Sequence, residues 1–208
     1  MRLAQTVGAI LSLGLWTFGS VRIRAMRRLR LQAANLLTGL RLVLTPAFIA
    51  LAWHAGPGAA LLFVVIAASD VWDGRLARRY GSASRTGRAF DHVADIGFIL
   101  SASSMYALQS LVPWWVPAAI GGSFAFYVID SWSLSAAAPA LIGSRVGHLA
   151  GICNYSLIGV LVFNNTAGIH LLPPAFLDKL FWLVPLYSAA AVISRLAARR
   201  PAVSMEAA

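Results

Sequence analysis

Charge is the scarcest commodity in this chain. Only 12% of its 208 residues are Asp, Glu, Lys or Arg, and only seven are acidic, where a soluble domain carries about 25% charged residues. One cysteine, Cys153, excludes an intrachain disulfide and any cysteine-based metal site. What fills the space is apolar: 59% of residues are hydrophobic and the mean hydropathy is +0.74, which places the chain in the membrane class. The length suits one compact bundle. Seventeen Lys and Arg give a formal charge of +10. Because the cations border apolar runs, the excess points to anionic lipid head groups rather than to nucleic acid.

Six stretches approach the roughly 20 apolar residues that cross a bilayer core. They run from Leu36 to Trp53, Ala59 to Arg79, Gly87 to Leu111, Trp114 to Leu134, His148 to Phe163 and Phe176 to Ala197. Turn residues separate them at Gly56-Pro57, Pro113, Ser135 to Pro139, and Asn164 to Pro174. The arginines then set the orientation. Arg22 to Arg30 precede the first stretch, Arg75 to Arg88 surround the second connection, Arg145 lies between the fourth and fifth, and Arg195, Arg199 and Arg200 close the sixth. With six spans every basic cluster falls on one face, the cytoplasmic one. The expected architecture is an all-α integral membrane protein, a six-helix transmembrane bundle over residues 35–198. It is preceded by an N-terminal apolar and basic segment, 1–34, and followed by a short cytoplasmic tail, 199–208. Residues Ala4 to Val21 form a further apolar run that could span or lie on the membrane. Val21 to Leu31 reads as an interfacial amphipathic helix.

Four of the seven acids fall within 26 positions: Asp70, Asp73, Asp91 and Asp95. Charge inside a span is costly and faces the bundle interior or a water-filled cavity. On helices, Asp70 and Asp73 share a face at i and i+3, as do Asp91 and Asp95 at i and i+4. A short turn joins the two spans, so both faces meet at one depth. Converging carboxylates need cations. An oxygen-only donor set suits a hard ion such as Mg²⁺ or Mn²⁺, and two such ions can assist displacement at phosphorus. Gly74 and Gly87 lie on the same faces and allow close approach of a ligand, and Arg78 brings a planar fork suited to phosphate. Salt bridges of these acids to Arg75 or Arg88 are the purely structural alternative. A cation transporter using the same acids is another, although the acids cluster at one end and no repeat is visible.

The segment Asp70-Val-Trp-Asp73-Gly74-Arg-Leu-Ala77-Arg78, then eight residues, then Gly87-Arg-Ala-Phe-Asp91-His-Val-Ala-Asp95 resembles the signature of the CDP-alcohol phosphatidyltransferases. Upstream, Asn35-Leu-Leu-Thr38-Gly-Leu-Arg41 followed by Pro46 is similar to that family's first span. The resemblance implies a homodimeric six-helix enzyme of phospholipid biosynthesis that opens to the cytoplasm. It would move a phosphatidyl group from CDP-diacylglycerol to an alcohol and release CMP. Asp70, Asp73, Asp91 and Asp95 would hold Mg²⁺ or Mn²⁺, with Asp95 also the general base. Asn35, Thr38, Gly74, Arg78, Ser84 and Gly87 would bind the CDP-lipid. Glycerol 3-phosphate is the expected acceptor, with serine, inositol phosphate and phosphatidylglycerol as alternatives. Arg145 and His148 are the candidate acceptor contacts. Ile96 and His148 stand where the family often has lysine, which weakens the case for a phosphorylated acceptor. His92, about 100° from the Asp91 face, is expected to pack or to support rather than to ligate. Asp130 has two readings, an acceptor contact or a helix-helix hydrogen bond.

Overall fold

The computed structural model describes residues 38–80, 85–134, 145–166 and 168–198. Within its helices the side chains of residues 73, 74, 76–80, 85, 86, 88, 132 and 134 lie outside the described set. The expectations for residues 1–37, for the tail 199–208, and for Asn35 and Ser84 therefore fall outside the described residues.

Six α-helices and no strand occur among the described residues. They are α1 (Thr38–Trp53), α2 (Gly58–Tyr80), α3 (Arg85–Leu108), α4 (Trp115–Leu134), α5 (Arg145–Thr166) and α6 (Pro174–Ala198). Each coincides with one apolar stretch of the sequence, and three boundaries differ by three residues. The third stretch was expected to reach Leu111, but α3 stops at Leu108 because Ser110 adopts a left-handed φ of 59°. There the Leu111 N–H donates to the Tyr106 carbonyl at 2.9 Å and the Ser110 N–H to that of Ala107 at 3.0 Å, the paired bonds of a Schellman stop. α1 ends the same way: Ala55 has φ 51°, and the Gly56 N–H donates to the Leu51 carbonyl at 2.9 Å. The other two are in α5, which begins at Arg145, three residues before the expected His148, and ends at Thr166, three after the expected Phe163.

α6 opens on Pro174, whose missing N–H would have had no intrahelical partner anyway. It continues through Pro185, a break that neighbouring helices in an apolar medium can absorb. Buried hydroxyls find acceptors on their own helix: Ser103 donates to the Ile99 carbonyl at 2.8 Å and Thr166 to that of Val162 at 2.7 Å.

α2 packs on α5, α3 on α4 and α5, and α6 on α4 and α5. α1 joins through Phe48, whose ring meets Phe98 of α3 edge-on at 5.2 Å. Phe63 of α2 lies 6.3 Å from the Phe98 ring and 6.4 Å from the Phe163 ring of α5, which makes an aromatic centre for the bundle. The outside is apolar as well. Val43, Leu61, Ile129, Trp182, Leu186 and Ile193 are all more than 60% exposed, a distribution that water penalises and lipid does not. α5 and α6 are long and apolar enough to cross a membrane, with a third of the apolar window of α5 and less than a quarter of that of α6 buried. Thr38–Trp53 and Gly58–Trp72 are shorter apolar helical segments. The site described next sits where α1, α2, α3 and α5 meet.

Candidate active site

The organising side chain is Arg41. It lies in the first turns of α1, wholly buried, and reaches acids on two other helices. Its Nη2 donates to Asp70 Oδ1 on α2 at 3.3 Å. Its Nη1 donates to Asp91 Oδ1 on α3 at 3.1 Å and, in a tighter contact, to Asp95 Oδ1. Thr38, one turn earlier, adds a longer bond of 3.4 Å to Asp91 Oδ1. From α5, the Tyr155 hydroxyl donates to Asp95 Oδ1 at 3.1 Å.

Asp91 and Asp95 share the α3 face that meets Asp70, as their four-residue spacing dictates. Three of the four expected acids thus converge. The fourth, Asp73, lies three residues beyond Asp70 on the same helix, and its side chain is outside the described set, like those of Gly74 and Arg78. Gly87 is half-buried one turn before Asp91. Arg145 and His148 are exposed at the start of α5, and His148 is close enough to Asp70 and His92 to interact with them electrostatically.

Arg75, a candidate structural partner for the acids, is exposed, and the side chain of Arg88, the other candidate, lies outside the described set; among the described residues Arg41 is the cation on Asp70, Asp91 and Asp95. Arg41 lay inside the quoted upstream segment but had been given no role. Tyr155 was missed altogether, because an isolated tyrosine in an apolar run carries no local signal. His92 packs its ring 5.8 Å from that of Tyr127, in keeping with a supporting role, yet it also offers a nitrogen within 4.8 Å of oxygens of Asp91 and Asp95. Asp130 takes the second of its two readings. Its Oδ2 accepts a 2.8 Å bond from Arg195 Nε, and Arg195 also donates to Ser131 and lies over the Tyr127 ring. Arg195, read from the sequence as a flanking topological charge, is instead buried inside α6 and joins it to α4.

Among the described side chains, three carboxylates meet one guanidinium, a formal excess of two negative charges, the charge a divalent cation cancels. The donors are oxygens from two helices, with one imidazole nearby, a set that fits a hard divalent ion. The acids are between a fifth and a third exposed, so a polar ligand can reach them.

The comparisons with known proteins agree with this chemistry. A family model described as CDP-alcohol phosphatidyltransferase matches residues 31–194. A Mycobacterium bovis protein named as a cardiolipin synthase is 33% identical over 87 residues, which cover 41% of this chain and 42% of that protein. A Mycobacterium tuberculosis protein named as a phosphatidylglycerophosphate synthase is 37% identical over 90 residues, covering 40% and 43%. The chain therefore spans about two fifths of the length of the curated relatives it matches.

Proposed function

The chain belongs to the CDP-alcohol phosphatidyltransferase family, and on that premise we propose that it transfers a phosphatidyl group from CDP-diacylglycerol to glycerol 3-phosphate in phospholipid biosynthesis. The observation that carries this reading is the convergence of Asp70, Asp91 and Asp95 on Arg41 with two negative charges in excess. The relative named for phosphatidylglycerophosphate supports the acceptor. The relative named for cardiolipin supports a second reading, phosphatidylglycerol as acceptor.

In this reading Asp95 takes the proton of the acceptor hydroxyl. The acceptor oxygen forms a bond to the lipid-side phosphorus, and the bond from that phosphorus to the bridging oxygen breaks. CMP leaves with the electron pair. Mg²⁺ or Mn²⁺ held by Asp70, Asp73, Asp91 and Asp95 would supply positive charge to the pyrophosphate oxygens. Arg41 keeps Asp70, Asp91 and Asp95 of α2 and α3 in one place before substrate arrives. Thr38, Gly74, Arg78 and Gly87, together with Asn35 and Ser84, would receive the CDP moiety. Arg145 and His148 would meet the acceptor. The protein would work as a homodimer of six-span subunits in the bacterial inner membrane, with this end of the bundle on the cytoplasmic side, where the basic clusters place it.

CMP release by the purified protein tests the proposal. CDP-diacylglycerol and Mg²⁺ or Mn²⁺ would be supplied with glycerol 3-phosphate or phosphatidylglycerol. Metal-dependent release with glycerol 3-phosphate is expected, and release with phosphatidylglycerol alone would establish the second reading. No release with either, from folded protein that fails to bind CDP-lipid, would overturn both.

A further inference from the structure

Asp95 is held differently from the other acids. Arg41 from α1 and the Tyr155 hydroxyl from α5 both donate to the same oxygen, Oδ1. Tyr155 is itself firmly placed. Its ring stacks on that of Phe98, at a centroid distance of 5.7 Å and an interplanar angle of 22°, and Phe98 follows Asp95 by less than one turn. The next-door Asn154 accepts a short hydrogen bond from the Tyr187 hydroxyl of α6, which holds this turn of α5 against its neighbour. Packing alone does not aim a phenol in this bundle. Tyr106 is as deeply placed on α3, and its hydroxyl has no hydrogen-bond partner among the described residues.

The face of α5 that carries Tyr155 also has room. Gly151, one turn earlier, shares the inward face with Asn154, Ile158 and Val162, which are buried. No described residue lies within 4 Å of the place its Cβ would occupy. His148 lies a further turn towards the helix start on the same side.

We infer that Tyr155 is a positioning residue for the transfer reaction: with Arg41 it pins Asp95 through Oδ1, so that Oδ2 is the oxygen that takes the acceptor's proton. The inference rests on the transferase reading above and adds to it a residue outside the acidic motif. Two donors on one carboxylate oxygen fix the rotation of the group, and a base must stand within hydrogen-bond reach of the proton it abstracts. Tyr155 touches neither substrate in this role and acts through Asp95.

The test is Tyr155→Phe in the full chain, which keeps the ring on Phe98 and removes only the hydroxyl. With CDP-diacylglycerol, Mn²⁺ and glycerol 3-phosphate, kcat for CMP release should fall about 10- to 100-fold, with KM for the CDP-lipid within about twofold of wild type. An unchanged kcat, or a loss expressed in KM alone, would overturn the inference. Infrared spectroscopy supplies a readout independent of turnover. A carboxylate band should move between wild type and Tyr155→Phe, and should not move when the same pair is compared in an Asp95→Asn background. A band shift that survives Asp95→Asn, or none at all, would remove the Tyr155–Asp95 bond. Wild-type protein that releases no CMP would instead remove the transferase reading and the kinetic role with it, while the infrared comparison would still report on the bond.

Discussion

Among the described residues Arg41 makes ion pairs with three acids. It is completely buried and joins α1 to carboxylates of α2 and α3. Breaking a buried charge pair by removing one partner costs about 3–5 kcal/mol. Because the acids keep some exposure, Arg41→Met should lie near the lower figure, about 3 kcal/mol, read by unfolding in detergent. The variant would also raise the negative excess at the site from two to three. Added Mn²⁺ should therefore raise its unfolding midpoint more than that of wild type, since a ligand that binds only the folded site stabilises it by mass action. Equal Mn²⁺ responses would mean that these carboxylates do not take the ion. In the sequence Arg41 closes the upstream segment Asn35 to Arg41 without any sign of which residues it meets. Nothing in a linear pattern says which cation will turn inward, because that depends on the helix carrying it meeting two acidic faces at the right depth.

At the scale of the element, helix extents were legible and their contacts were not. Apolar runs broken by Gly-Pro, Pro and Asn-rich turns located all six helices, because a span in lipid has to satisfy its backbone within the helix. The exact stop of α3 depended on Ser110 taking a left-handed conformation, which a serine does not advertise. Ala55 does the same at the end of α1. Ala55→Gly should stabilise the protein by about 1 kcal/mol, since glycine pays no Cβ penalty there; a lower unfolding midpoint would argue against that cap. Between elements, α2 presses on α5 at Gly159, where a Cβ would stand 2.9 Å from Phe63 Cε1. Gly159→Ala should destabilise by about 1–3 kcal/mol, and Phe63→Leu in the same chain should recover part of the loss. Strictly additive effects in that pair would show that the two positions do not collide.

Among the described residues Asp70, Asp91 and Asp95 gather on Arg41, and many of the exposed side chains are apolar. The sequence places the connection at residues 81–84 among arginines, and those around His54 and His170 without nearby cations, apart from Lys179. In a Cys153→Ser background, Ser82→Cys should react with an impermeant maleimide only in inside-out vesicles. His54→Cys and His170→Cys should react only in right-side-out vesicles, as the bias of cations toward the cytoplasm requires. Labelling of Ser82→Cys from the same side as His54→Cys would overturn the six-span orientation.

The sequence by itself determined what depends on spacing along one chain: six apolar helices, the acids paired at i, i+3 and i, i+4, and the motif by which the family is recognised. Helical periodicity and the expense of charge in lipid are local rules, so they can be read without coordinates. Only the tertiary structure decided which cation met which acid. It brought Arg41 rather than Arg75 to Asp70, Asp91 and Asp95, turned Arg195 inward to Asp130 instead of leaving it at the flank, and carried Tyr155 from α5 to Asp95. Those pairings join residues 29 to 65 positions apart. They follow from how six helices pack into one core that includes Phe48, Phe63 and Phe98, a property of the bundle that no single segment contains.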